Sequence, residues 1–343
     1  MNNNNLQVRR GSRSSIIAML VMVIVVAILA AAPWWAGRAD MRLMGEIFLY
    51  LSLASLWNLM AGYAGLVSVG QQAYVGFGGY VLFALTMFAG VHPVTALVCA
   101  GLLAAVIAVP VATLVFRLRG AYFAIGTWVV AEVFRLSFAQ VTSLGGGSGT
   151  SLPIKVIKSM ASGRQAREWM SYWLALGIAV LVITTVFLFL RSRKGLALSA
   201  IRDNELAAGS LGINIWRTKF LVYVVTAALT AMVGALIFLQ KLRISPDAAF
   251  SVNDWTAFVI FIVGIGGIGS LEGPIIGTLV FFALRETLAD LGTFYLIALG
   301  LVAIVVMLKA PQGLWGIIRA RWDIQLFPLG YRVSNHNSTD KPL

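Results

Sequence analysis

The sequence predicts an all-α, polytopic transmembrane helical bundle of about ten spans, with both termini in the cytoplasm. Three observations carry this. Of 343 residues, 59% are hydrophobic and 11% charged, with a mean hydropathy of +0.88, whereas a soluble domain carries roughly 25% charged residues. Apolar runs of about twenty residues recur, each long enough to cross a bilayer as a helix. Backbone groups in lipid must bond internally, and the short alternating segments of a membrane barrel are absent, which leaves helices. Finally, most of the 26 Lys and Arg residues lie between the apolar runs.

In chain order the expected spans are 16–36, 43–61, 72–90, 94–116, 121–140, 169–190, 219–239, 255–268, 273–289 and 293–308. The first follows Arg9, Arg10 and Arg13. Ala30-Ala31-Ala32 resembles a signal-peptide cleavage site. However, the run is longer than a signal core of about 7–15 residues, and Trp34-Trp35 suits an interfacial anchor, so a retained first helix is expected. The eighth run is short and ends in glycines, so a broken or tilted span is expected there. Residues 1–15 and 319–343 form polar tails around a membrane domain of 16–318.

Basic residues orient the bundle. With the N-terminus inside, sixteen fall on the cytoplasmic side: Arg9, Arg10, Arg13, Arg117, Arg119, Arg191, Arg193, Lys194, Arg202, Arg217, Lys219, Lys309, Arg319, Arg321, Arg332 and Lys341. Eight fall on the far side: Arg38, Arg42, Lys155, Lys158, Arg164, Arg167, Lys241 and Arg243. This bias follows the positive-inside rule and accounts for the net charge of +13 without a nucleic acid. It places the 191–219 loop in the cytoplasm. The longest far-side loop, 141–168, contains Leu144-Gly-Gly-Gly-Ser-Gly-Thr-Ser-Leu-Pro153. A disordered linker and a contact surface for an external partner both fit it.

Several chemistries are excluded or disfavoured. No nucleotide-binding G-x-x-x-x-G-K-[ST], no H-E-x-x-H and no G-x-S-x-G occurs. Cys99 is the single cysteine, which precludes an intrachain disulfide, and His92 and His336 are far apart, so neither a metal nor another cofactor is expected. An ion-driven carrier commits carboxylates or histidines inside its spans to the ion. Here Glu132 is three residues from Arg135, on one helix face, and is expected to pair with it. Arg285 and Glu286 lie near a span end and are expected to snorkel.

Two glycine-rich interruptions remain: Gly62-Tyr-Ala-Gly-Leu-Val-Ser-Val-Gly-Gln-Gln-Ala-Tyr-Val-Gly-Phe-Gly-Gly-Tyr80 and Gly264-Ile-Gly-Gly-Ile-Gly-Ser-Leu-Glu-Gly-Pro-Ile-Ile-Gly277. In transporters such interruptions point to the substrate path. Small residues equally allow helices to approach closely, and for any single glycine packing is the stronger reading. Adjacent amides at the start of an apolar span need partners or a wet cavity. Ser68, Gln71, Gln72 and Tyr74 are therefore the candidate path residues. In the 191–219 loop, Ile201, Leu206, Ala207, Ala208 and Leu211 form a modest apolar face opposite Arg202, Asp203, Asn204 and Glu205. Gly209 and Gly212 are candidate stops, so one short helix lying along the membrane surface is expected. Acidic residues in a loop that the positive-inside rule would fill with basic ones favour a docking surface.

The run Arg193-Lys-Gly-Leu-Ala-Leu-Ser-Ala-Ile-Arg-Asp-Asn-Glu-Leu-Ala-Ala-Gly-Ser-Leu-Gly-Ile-Asn214 resembles the cytoplasmic loop of branched-chain amino acid ABC transporter permeases of the LivM type. Gly62–Tyr80, Arg119-Gly-Ala-Tyr-Phe-Ala-Ile-Gly126 and Gly266-Gly-Ile-Gly-Ser-Leu-Glu-Gly-Pro274 resemble the same family, in the same order, over about 44–317. The resemblance implies a transport subunit without its own ATPase site, in a bacterial inner membrane. It further implies a second, related permease, two cytoplasmic ATP-binding subunits and a periplasmic substrate-binding protein as partners. It makes Ala200, Ile201, Arg202, Asp203, Asn204, Glu205, Leu206 and Gly212 the coupling segment that meets the ATPase. The family also includes importers of urea, short amides and other small solutes.

Overall fold

The computed structural model describes residues 6–9, 13–161, 163–288, 294–310, 312–322, 327 and 332–335. The fold is all-α and polytopic. Most of the tails, including His336, lies outside the described residues. Helices occur at each of the ten expected places: α1 (Arg13–Ala30), α2 (Arg38–Asn58), α3 (Gln71–Phe88), α4 (Pro93–Val115), α5 (Ala121–Ala139), α7 (Arg164–Arg191), α10 (Ile215–Lys241), α12 (Phe258–Gly266), α13 (Gly273–Leu288) and α14 (Phe294–Lys309). Between and after them come α6 (Ile154–Met160), α8 (Arg193–Asp203), α9 (Glu205–Ser210), α11 (Pro246–Ala249) and α15 (Gly313–Trp322).

Among the described residues, six helices are long and apolar enough to cross a membrane: Arg38–Tyr63, Pro93–Val115, Ala121–Ala139, Arg164–Arg191, Ile215–Lys241 and Pro246–Gly266. A bent pair, Ile297–Lys309 with Gly313–Arg321, makes up to seven. α3 falls outside this set because it opens on Gln71 and Gln72 and carries three glycines. It is instead enclosed by protein, packed against α10, α4 and α5, which relieves it of the need for a lipid-facing surface. Two glycines make its contact with α10 possible. A Cβ on Gly78 would strike the Ala231 carbonyl, and one on Gly234 would strike the Val75 carbonyl. Such small-residue approach is the usual way helices pack closely in lipid.

Three sequence expectations are corrected. The eighth span is not short. Proline at the first helical position starts α11, a wide turn over Asn253–Ala257 follows, and the unit Pro246–Gly266 reaches 21 residues. The 141–168 segment is not a disordered linker. Thr150–Ser151 (β1) pairs antiparallel with Arg243–Ile244 (β2), Leu152 N–H donates to Leu242 O at 3.0 Å, and α6 follows. Arg285 does not simply snorkel: it forms a two-pronged ion pair with Glu46 of α2, at 2.7 and 2.8 Å. The Glu132–Arg135 pair forms as expected, and Arg135 also reaches Asp247 at 2.8 Å.

α1 packs on α7. Tyr172 donates its hydroxyl to Leu29 O at 2.7 Å and Trp173 its indole N–H to Ala30 O at 3.1 Å. Leu6–Arg9 pairs antiparallel with Arg332–Asn335, which sets these two short segments side by side.

Candidate functional site

The turn between α2 and α3 is built by the buried end of α2. That helix widens over Leu59–Tyr63, and the chain then runs irregularly through residues 64–70. Trp57 donates its indole N–H to Ser68 O at 2.8 Å, and Ser68 Oγ accepts Gly70 N–H at 3.1 Å. Thr127 of α5 accepts Val69 N–H at 3.0 Å. An irregular backbone in a membrane interior needs such partners for its exposed groups.

All four candidate path residues are buried. Gln71 donates to Leu53 O at 3.0 Å, while its Oε1 has no partner among the described residues. That oxygen belongs to a side chain lining a cavity of about 20 Å³, shared with Ser68, Tyr74, Tyr223, Thr226 and Thr230. The volume suits about one water molecule. Tyr74 and Tyr223 hydroxyls meet across it at 3.1 Å. Gln72 turns the other way. Its Nε2 donates to Val69 O at 3.1 Å, and its Oε1 accepts from the Thr256 hydroxyl. The structure thus brings Ser68, Gln71 and Tyr74 together around one polar cavity and separates Gln72 from them.

The organising residue was not singled out from the sequence. Asn58, 1% exposed, accepts Gly269 N–H at 2.8 Å and donates to Ser270 O at 2.7 Å. A Cβ on Gly62 would lie 2.6 Å from Gly269 N, so the two glycine interruptions meet here. The available signal was the isolated amide in an apolar stretch, which must find partners when buried. Thr127, Thr256 and Tyr223 carried no comparable signal.

The segment expected to couple is two helices, which corrects the single helix expected over 200–212. Asn204 has an extended backbone (φ −159°) and its Oδ1 accepts Ala207 N–H at 3.0 Å, so it starts α9 immediately after α8 ends. Asparagine at a helix start competes well with helix continuation. Ser192 starts α8 in the same way, accepting from Lys194 N–H at 3.2 Å. Gly212 takes a positive φ of 79° and lets the chain turn toward Asn214, which caps α10.

Within the segment, Ile201 is buried, Ala200 half-buried, and Arg202, Asp203, Asn204 and Glu205 are exposed. Glu205 pairs with Lys219 at 3.0 Å and Arg202 with Asp203 at 3.5 Å. Leu206 and Leu211 are 86% and 78% exposed. Arg202 Nη1 lies 3.3 Å from the place a Gly269 Cβ would take. The segment expected to couple therefore sits against the same glycine turn that Asn58 holds.

The profile of the family described as "Branched-chain amino acid transport system / permease component" matches residues 40–310. The chain is 28% identical over 311 residues to the high-affinity branched-chain amino acid transport system permease protein LivM of Escherichia coli, covering 84% of this chain and 72% of that one. It is 26% identical over 274 residues to the probable LivM of Methanocaldococcus jannaschii, covering 70% and 78%. It is 34% identical over 151 residues to LivH of Escherichia coli, covering 42% and 46%. The bundle, its glycine turns and the family match over most of its length agree: the chain belongs to the permease components of branched-chain amino acid transport systems.

Proposed function

We propose that this chain is the membrane permease of a binding-protein-dependent ABC importer for branched-chain amino acids, in a bacterial inner membrane. One observation carries the mechanism: the Asn58 clamp joins both glycine interruptions directly beside Arg202. Force entering at α8 and α9 from an ATP-binding subunit would be passed through Arg202 to the Gly269 turn. Asn58 would carry it to the end of α2, and so to the start of α3. Ten spans, cytoplasmic termini and a cytoplasmic 191–219 segment complete this reading, supported by the sixteen-to-eight distribution of basic residues. ATP hydrolysis belongs to two partner subunits in this scheme, and a periplasmic binding protein supplies the substrate.

A second, related permease would cover α5. That helix buries only Phe123, Thr127 and Ala131. Its outer face carries Tyr122, Ile125, Trp128, Val129, Val133 and Leu136, together with Glu132, whose side chain is 45% exposed. A carboxylate facing lipid is expensive, so a protein or aqueous surface fits this face better. The path then runs beside residues 66–70, with Ser68, Gln71, Gln72 and Tyr74 as the polar layer behind it.

The test is uptake of labelled leucine, isoleucine and valine by the reconstituted complex, with urea, acetamide and a sugar as competitors. The sugar matters because a fructose import permease of Bifidobacterium longum is 25% identical over 45% of this chain. Uptake of the three amino acids, uncompeted by the other solutes, is expected. Transport of a competitor in place of leucine would assign the same machinery another cargo. Uptake that persists without ATP and follows an ion gradient would overturn the ABC reading.

A further inference from the structure

On the face opposite α8 and α9, an open cavity of about 840 Å³ lies between α2, α7, α10, α12 and α13. Six cationic and three acidic side chains line it, a surplus of three positive charges. The surplus gathers in the first turns of α2 and α7. Arg38 and Arg164 share one carboxylate, Glu168, at 3.3 and 3.2 Å. Arg42 and Arg167 have no acidic partner among the described residues. Several arginines around one opening suit a phosphate group, which accepts paired N–H donors.

The cavity is also deep and changes character with depth. Its wall follows α2 from Arg38 to Tyr50, roughly 18 Å at 1.5 Å per residue. That is comparable to one leaflet of the hydrocarbon core, about 15 Å. Beyond Arg42 it is lined by Leu49, Ile237 and Phe258 together with the mutually neutralising Glu46–Arg285 pair. Beside the first turns of α7, Trp34, Trp169 and Trp173 form a triad with ring centroids 5.9 Å apart. Tryptophans of this kind mark the membrane–water boundary. A basic rim at headgroup level over a shaft that carries no net charge and has an apolar wall of Leu49, Ile237 and Phe258 has the polarity of an amphiphile. A small solute would leave most of the volume empty.

We propose that this cavity binds an anionic phospholipid, its phosphodiester held by Arg42 and Arg167 and one acyl chain lying along α2. The inference is independent of which amino acid is transported and of which face is cytoplasmic.

Native mass spectrometry of the purified full chain tests it, with titrations of phosphatidylglycerol, phosphatidylcholine of identical acyl chains, and inorganic phosphate. Phosphatidylglycerol should bind more tightly than phosphatidylcholine, on the order of tenfold, equivalent to about 1.4 kcal/mol. The double variant Arg42→Gln with Arg167→Gln should lose that preference, whereas Arg193→Gln, in α8 on the opposite face, should keep it. A second variant guards against misfolding. Gly45 lines the cavity and a Cβ there meets nothing within 4 Å, so the side chain of Gly45→Phe starts into open space and should occupy the shaft. It should weaken phosphatidylglycerol binding at an unchanged thermal midpoint. Equal retention of the two lipids, or phosphatidylglycerol binding that survives both variants, would overturn the proposal. Displacement by inorganic phosphate at equal concentration would overturn the lipid as occupant.

Discussion

Asn58 and Gly269 are 211 residues apart in sequence and joined by a hydrogen bond of 2.8 Å from the Gly269 N–H to the Asn58 side-chain oxygen. The same amide donates to Ser270 O. One side chain thus satisfies both a donor and an acceptor of an irregular turn, and it does so in the interior, where leaving either unpaired is costly.

Asn58→Ala should strand both backbone groups, each costing about 1–3 kcal/mol. The expected outcome is a lower thermal midpoint of the purified chain. In the assembled transporter, ATP hydrolysis should persist while uptake falls. A wild-type midpoint together with wild-type coupling would remove Asn58 from the force route.

Leu206→Asp and Leu211→Asp probe docking separately from folding. Both side chains are exposed, so neither change should lower the stability of the isolated chain by more than about 0.5 kcal/mol. Copurification of the ATP-binding subunits should drop sharply. Asp203→Lys with Glu205→Lys should act in the same direction, because the exposed Glu205–Lys219 pair contributes at most about 1 kcal/mol to folding. Full subunit retention in all of these variants would place the docking surface elsewhere.

Two glycines on cavity and contact surfaces should respond in opposite ways. Gly45→Ala adds a methyl group into open space within α2 and should stabilise by roughly 0.5–1 kcal/mol. Gly234→Ala drives a Cβ into the Val75 carbonyl and should destabilise by about 1–3 kcal/mol. Thermal midpoints of the two purified variants, measured in the same detergent, decide it.

Gln71→Ala with Gln72→Ala should slow uptake while leaving subunit assembly intact. Gln71→Leu separates cavity polarity from size, since it keeps the bulk and removes the unpartnered oxygen. Unchanged uptake in both would confine these residues to packing.

Sidedness is measured in a Cys99→Ser background. Ser210→Cys should react with an impermeant thiol reagent only after the membrane is opened, and Lys158→Cys in intact cells. The reverse pattern would invert the bundle.

Fold class, the positions of the ten helices and the existence of an exposed charged segment between α7 and α10 were legible in the sequence alone. Each rests on a local signal: an apolar run of sufficient length, or a cluster of charges and helix stops between two such runs. Where the local chemistry was subtler, the reading was incomplete. Asn204 divides the segment between α7 and α10 because its side chain captures the Ala207 N–H, a choice that apolar periodicity does not register. Only the tertiary structure decided which polar groups meet. Glu46 finds Arg285, Thr256 finds Gln72, and Asn58 finds Gly269 and Ser270, in every case across more than 180 residues. In a chain this apolar, periodicity tells which faces are buried but not against what. A buried polar group is specific about its partner, yet that specificity resides in distance and direction, which exist only once the helices are packed.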